Sequence, residues 1–235
     1  MITLNHLPAD DDPLLLWGAQ NMRPEVRVWA LGDAAAVACP DVARRDRLVV
    51  RGSAADAAEL VRRLLPDLPG FHPIADQSLI EELVERLPDL EVAGRFGWMD
   101  TTIDTGLPAG TAHWLTDAEI PEVAALLEAD HPDSFALPGG TGVLRWAGIR
   151  VDGVLQAVAA DAWSVPEIGF VGGVATRRAA RGTGLGTEIC AFVTREMIGR
   201  GRVALLVDHR NAPAIRTYEK LGYRMRRIAA ARVRR

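Results

Sequence analysis

Residues 176–189 read "TRRAARGTGLGTEI", and no other stretch of the chain constrains the fold as strongly. The segment follows an apolar run, "IGFVGGVA", and leads into a stretch with helical spacing. A strand must therefore pass into a helix through a turn holding Gly182, Gly184 and Gly186. Helix N-termini expose unpaired N–H groups and carry partial positive charge. Glycines ahead of one let the backbone close on an anion without side-chain obstruction. Three alternating glycines exceed what a tight turn needs, so the junction fits a phosphate or pyrophosphate cradle. Arg177, Arg178 and Arg181 supply positive charge around it.

Three ligand classes compete for such a cradle. A P-loop requires Gly-Lys-Ser/Thr, and this segment has no lysine. A dinucleotide fingerprint requires Gly-x-Gly-x-x-Gly, but Thr187 and Ile189 break both registers. That fingerprint also opens a parallel sheet, whereas this loop follows strands with antiparallel signals, including an Asp152-Gly153 hairpin turn. The third class is coenzyme A, whose pyrophosphate also docks on a helix N-terminus.

"RGTGLG", Arg181 to Gly186, resembles the Arg/Gln-x-x-Gly-x-Gly/Ala signature of the GNAT superfamily of acyl-CoA N-acyltransferases. "NAPAIRTYEKLGY", Asn211 to Tyr223, resembles that family's second signature, in which Asn begins a helix ending in Tyr-x-x-Leu-Gly-Phe/Tyr. The two stand in the family's order with a strand, "RVALLVD", between them. The resemblance covers about residues 110 to 235. "HPDSFALPGG" and "GGVATRRAARGTGLGT" look closest to the branch that includes glycine N-acyltransferase-like proteins.

The resemblance implies an α/β (α+β) fold: a mixed, mostly antiparallel sheet flanked by helices, splayed after "IGFVGGVAT" to admit a pantetheine arm. It implies acetyl-CoA or a related short acyl-CoA as co-substrate, a primary amine as acceptor, direct attack in a ternary complex, and no metal. Backbone groups of Val174, Ala175 and Thr176 would pair with the pantetheine amides. Arg181, Gly182, Thr183, Gly184, Leu185, Gly186 and Thr187 would hold the pyrophosphate. Asn211 would cap its helix and reach the cofactor. Tyr218 occupies the position of the general acid beside the thiol sulfur. Glu167 is the candidate base, with His131 and Asp133 as alternatives and a water chain as a third route. Asp208 and His209 fall on the cofactor side. The alternative function is an acyl-CoA sensor without turnover; a dinucleotide oxidoreductase is the third class.

The chain divides near "MDTTIDTGLPAGT", which is rich in Thr, Gly and Pro and has no hydrophobic period. We expect an N-terminal domain over 1–100, a linker over 101–110 and the acyl-CoA domain over 111–235. In the last, the spacing predicts helices over 117–130, about 184–199 and from 211 to Gly222, then a final strand from Tyr223. In the first half, "EVRVWAL", "AAVACP" and "DRLVVRG" read as strands, and "SAADAAELVRRLLPDL" as a helix capped by Ser53. "QSLIEELVERL" is a second helix and "EVAGRFGWM" a strand. This order echoes the second half, as a degenerate copy would: its junction, "RGSAADA", keeps one glycine. The second half has room for one strand after Gly222, and "EVAGRFGWM" could supply a missing neighbour.

Composition narrows the partners. A net charge of −4 argues against a general nucleic-acid binder, despite the basic end "YRMRRIAAARVRR". Cys39 and Cys190 match no metal spacing and read as free thiols of a reducing compartment. The opening "MITLNHLPADDD" has no secretory pattern, and no apolar run approaches the roughly 20 residues that span a bilayer. The expectation is a cytoplasmic monomer or homodimer.

Overall fold

The computed structural model describes residues 1–7 and 12–234, so part of the N-terminal segment, residues 8–11, lies outside the described residues. The first half runs β1 (Ile2–Leu4), α1 (Pro13–Ala19), β2 (Arg27–Leu31), β3 (Ala34–Cys39), β4 (Arg47–Arg51), α2 (Ala54–Leu64), β5 (His72–Asp76), α3 (Gln77–Arg86) and β6 (Leu90–Thr101). The second half runs β7 (His113–Trp114), α4 (Ile120–Asp130), β8 (Val143–Val151), β9 (Val154–Ala162), β10 (Ile168–Thr176), α5 (Leu185–Met197), β11 (Arg202–Asp208), α6 (Ala212–Lys220) and β12 (Arg224–Val233). Both halves thus follow one order: strand, helix, three strands, helix, strand, helix, strand.

The chain forms two compact units. Unit 1 is Met1–Trp98 with Arg226–Arg235, and unit 2 is Met99–Met225. The last strand belongs to unit 1, whereas the sequence reading placed residues 111–235 together.

In unit 1 the strands lie in the order β1-β2-β3-β4-β5-β12. The first three neighbour pairs are antiparallel, β4 and β5 are parallel, and β12 runs antiparallel to β5. β3, "AAAVAC", is buried along its whole length. Its small residues suit a strand covered on both faces by helices. Ala36 and Ala38 pack with Leu60, Val61 and Leu64 of α2 in one core. Ser53 caps α2 as its position predicts, its Oγ accepting the Asp56 N–H.

The placement of β12 has two physical causes. Ala229 and Ala231 carry small apolar side chains into the α2–α3 core of unit 1. At the start of the strand, the Arg226 guanidinium donates to both carboxylates of Asp12 and Asp76. Pairing of β12 with β5 also satisfies backbone groups that would otherwise stand at an open edge.

In unit 2 the order is β11-β10-β9-β8-β7. β10 and β11 are parallel, and the other pairs are antiparallel. The β8–β9 turn uses Asp152 at φ 49° and Gly153 at φ 77°, the doubly left-handed geometry that Asp-Gly favours. The helix expected from Asp117 opens instead as a 3-10 turn, Asp117–Glu119, before α4. Thr116 and Glu119 form a reciprocal capping box there, and Pro121 falls in the first turn, where it needs no N–H. The core on the α5 face combines Ile189, Val193 and Met197 of α5 with Ala147, Ala159, Val171 and Val203 of the sheet. Among the described residues, no helix is long and apolar enough to cross a membrane.

Burial pushes the Asp12 carboxyl up, but Arg226 and the N–H groups of Leu14 and Leu15 outweigh it and hold the carboxyl below its ordinary value. A lowered carboxylate contributes stability above its unfolded pKa of about 3.9 and loses it as pH falls. Arg226→Ala should therefore destabilise the protein by about 1–3 kcal/mol at neutral pH. It should also flatten the loss of stability below about pH 4. Denaturant titrations at several pH values check both; a variant that keeps the wild-type acid profile would show that the cluster contributes nothing.

Candidate functional site

The site forms where β10 ends and α5 begins. The parallel β10–β11 ladder covers Ile168–Val171 against Arg202–Leu205. Both strands continue past it, β10 to Thr176 and β11 to Asp208, without pairing to each other. On the other side of β10, the register with β9 shifts between Gly172 and Ala175. Gly172 lies opposite Ala160 and Ala175 opposite Val158, so β10 carries one extra residue, a β-bulge. Gly173 and Val174 therefore leave both ladders. Gly173 takes φ +60°, which its missing side chain permits.

The loop after β10 leads to a helix end that no side chain caps. Gly182 at φ 83° and Gly184 at φ 97° hold the left-handed turns, and Gly184 is the N-cap of α5. The N–H groups of Thr187 and Glu188 bond the Gly184 carbonyl. Those of Leu185 and Gly186, in the same first turn, point out of the helix, as first-turn donors must. A Cβ on Gly182 would meet no atom within 4 Å, and one on Gly184 would meet only Glu188 Oε1 at 4.0 Å. These glycines are thus not required by internal packing; their backbone faces open space. Thr183 Oγ1 donates back to the Ala180 carbonyl at 2.7 Å and leaves the helix end free.

The arginines divide in role. Arg181 Nη2 donates to the last carbonyl region of α4, at Asp130 O, 3.0 Å away, and its Nε to Thr176 O at 3.3 Å. Arg177 Nε donates to Leu155 O at 2.7 Å. The Asp130 carboxylate lies 4.0 Å from Arg177 and 3.8 Å from Arg178. Asp130 was not legible as a site residue, because nothing local links the end of α4 to this loop. Arg178 is 75% exposed beside that carboxylate.

Tyr218 of α6 is buried, its ring centroid 5.8 Å from that of Tyr223. It shares the α5-face core with Cys190, Val174 and Leu185. Burial, with Cys190 and Tyr223 beside it, pushes its pKa well above the ordinary tyrosine value, so it carries its proton at neutral pH. Tyr223 gives its hydroxyl to Thr194 Oγ1 at 2.8 Å, whereas the Tyr218 hydroxyl has no such partner among the described residues. Asn211 caps α6, its Oδ1 accepting the Ala214 N–H at 3.2 Å. Burial likewise raises Cys190 to about 12 and Cys39 to about 11, so neither thiol is a nucleophile at neutral pH.

Glu167, the candidate base, sits in the exposed turn between Val165 and Ile168, ahead of β10 and seven residues before Val174. The loop 131–140 does reach β10. Ser134 Oγ donates to Ala136 O at 2.7 Å and fixes the loop's turn. The Ala136 methyl lies 3.3 and 3.1 Å from where side chains on Gly172 and Gly173 would begin. His131 ends α4 in the same segment, and desolvation together with the charge of Arg181 holds its pKa below the usual value, so its imidazole is neutral at pH 7. Asp208, beyond the splay on β11, is lowered to about 2 by the hydrogen bonds of Arg210. Among the described residues no group of His, Cys, Asp or Glu is arranged to hold a metal ion.

Two tryptophans missed in the sequence line the other side of the bulge. Trp146 Cη2 lies 2.4 Å, and Trp163 Cζ3 3.1 Å, from the Cβ positions of Gly173 and Gly172. Gly173→Ala would combine this clash with a left-handed backbone and should cost about 1–3 kcal/mol. A denaturation midpoint equal to that of the wild type would contradict the bulge geometry.

Residues 147–233 match the family model described as FR47-like protein. The sequence matches no curated protein. The chain is similar in structure to a GCN5-related N-acetyltransferase from Kribbella flavida, with a TM-score of 0.63, 20% identity and 95% of each chain covered. It is also similar to one from Sphaerobacter thermophilus, at TM-score 0.58 and 15% identity over 86% of this chain and 76% of that one. A GNAT-family acetyltransferase from Colwellia psychrerythraea gives TM-score 0.58 and 12% identity, over 96% and 90%. The mixed, mostly antiparallel sheet with its flanking helices is thus the fold of GNAT acetyltransferases.

Proposed function

We propose that the protein is an N-acyltransferase that moves an acetyl or other short acyl group from acyl-CoA to a primary amine by direct attack in a ternary complex. One observation carries this reading. The open, uncapped N-terminus of α5, with its two left-handed glycines, stands at the mouth of a slot between unpaired parallel strands. Such a helix end binds anions, and a strand edge that has lost its parallel neighbour beyond Val171 offers amide-matching groups to an extended ligand. Acyl-CoA has both parts: a pyrophosphate for residues 182–187 and two amides for Val174, Ala175 and Thr176. Arg178 adds charge to the phosphate end, and Arg181 fixes the loop to α4. Asn211 holds the start of α6 and with it Tyr218.

When bound, acyl-CoA supplies an activated thioester. The Val174 N–H accepts the role of polarising its carbonyl, which costs no reorganisation because the bulge has already freed that group. As the amine nitrogen bonds the carbonyl carbon and the C–S bond breaks, Tyr218 gives its proton to the sulfur. The neutral His131 imidazole, directly or through water, takes the proton that the amine sheds. The buried thiols take no part.

The same reading treats unit 1 as a degenerate copy. Its strand and helix order repeats that of unit 2, and β4 and β5 form the corresponding parallel pair. The helix end there is filled from within. The Ser53 N–H donates to both oxygens of Asp33, at 3.0 and 3.1 Å, and Ser53 itself caps α2. These bonds hold the Asp33 carboxyl below its usual range. A carboxylate of the chain thus stands where a phosphate would, so one acyl-CoA binds per chain. The two loops that resemble the glycine N-acyltransferase-like branch, 131–140 and 172–187, place an amino-acid amine first among acceptors to test. Free thiols fit a cytoplasmic protein, acting as a monomer or homodimer.

The position of Glu167, in the exposed turn ahead of β10, favours a second reading, acyl-CoA binding without turnover. Calorimetry with CoA and acetyl-CoA, paired with a thiol-release assay over an amine panel, separates the two. Gly184→Val should weaken CoA binding by roughly tenfold or more, through one or two lost charge-assisted hydrogen bonds. Unchanged affinity in the folded variant would remove the cradle assignment. Tyr218→Phe keeps the ring and removes the hydroxyl; it should leave acetyl-CoA affinity intact and lower turnover by about 10²–10⁴-fold. Normal turnover in that variant would make Tyr218 a packing residue.

A further inference from the structure

The Gly172–Gly173 bulge is walled on the face opposite α5, and the wall bears on which acyl groups can enter. Trp146 of β8 lies opposite Ala160 of β9, which lies opposite Gly172 of β10. The indole crosses above Ala160, whose single methyl leaves room for it, and ends against Gly173. Its Cη2 and Cζ3 atoms are 2.4 and 2.8 Å from where a Cβ on Gly173 would stand. Trp163 and Ala136 close the flanks at 3.1 Å or a little more. All three are buried, with Trp146 only 2% exposed. A side chain on Gly173 therefore has no room, and the wall stands directly against the backbone there.

A thioester carbonyl bonded to the Val174 N–H directs its acyl carbons toward Gly172 and Gly173, the residues just before it. We propose that Trp146 is the specificity-determining residue for acyl length, its six-membered ring acting as the end wall that admits acetyl and excludes longer chains. This rests on the acyl-CoA reading above and adds to it a size limit and the residue that sets it. The buried Trp146 Nε1 has no hydrogen-bond partner among the described residues. Packing alone therefore holds the ring, and phenylalanine can replace it without breaking a hydrogen bond.

The test compares CoA, acetyl-CoA and hexanoyl-CoA by calorimetry on the full chain, as wild type, Trp146→Phe and Trp146→Ala. The wild type should favour acetyl-CoA over hexanoyl-CoA by roughly tenfold or more, the discrimination expected when methylenes have no pocket to enter. Trp146→Ala should bring that ratio near one or reverse it, with CoA affinity unchanged, and Trp146→Phe should fall between. If the alanine variant does not fold, the phenylalanine variant alone decides. Normal CoA binding with an unaltered acetyl-to-hexanoyl ratio in a folded variant would overturn the role of Trp146 and leave the cradle standing. Equal binding of the two acyl-CoAs by the wild type would do the same. A wild type that binds no CoA at all would overturn the acyl-CoA reading and this proposal with it.

Discussion

Beyond Val171, β10 loses its parallel neighbour, and beyond Gly172 it slips out of register with β9. Backbone N–H and C=O groups are obligatory hydrogen-bonding groups, so Gly173 and Val174, outside both ladders, and the β11-facing edge after them must find partners elsewhere. Water can serve, and so can a ligand with amides of its own. Every other feature of the site depends on this release. The glycines after it shape a helix end that no side chain closes, and Tyr218 reaches the same core from the far side of the splay. A continuous ladder through Thr176 would leave the turn and the tyrosine with nothing between them.

Charge completes the arrangement by division of labour. Asp130 lies with its carboxylate 4.0 and 3.8 Å from Arg177 and Arg178, and Arg181 bonds its backbone carbonyl, so the positive loop is tied to the end of α4. Preorganisation of this kind lowers the entropic cost of binding. Unit 1 shows the opposite use of the same chemistry, with Asp33 bonded to the Ser53 N–H at the start of α2. One helix end has no side-chain cap, and the other is bonded by its own chain.

The parts of this fold that local rules govern were legible in the sequence. The alternating glycines at 182, 184 and 186 marked the strand-to-helix turn, Asn211 and Ser53 marked helix starts, and Asp152-Gly153 marked a hairpin. What local rules do not govern was not legible. Glu167 and Val174 are on one apolar run, and the pattern of that run does not say which end meets the loop 131–140. Trp146 and Gly173 meet across a third strand, through a register that no window of sequence contains. Asp130 and Arg181 are far apart in the chain and join only through packing of α4 near the turn. The last strand was legible as a strand, but its neighbour was not. The small apolar run in "RMRRIAAARV" suits any edge with a shallow core beneath it, and β5 provides one.

That choice of neighbour has a consequence for how the protein is made. Domains generally fold as they emerge during synthesis, N-terminal first. Unit 1 cannot follow that rule to completion, because the strand beside β5 is translated only after the whole of unit 2. Through that interval the nascent chain holds an unfinished sheet with the β5 edge exposed, a state in which chaperone contact and self-association compete with closure. Speed of translation across residues 99–225 thereby becomes a variable in the yield of folded protein, although none of those residues belongs to the unit that waits.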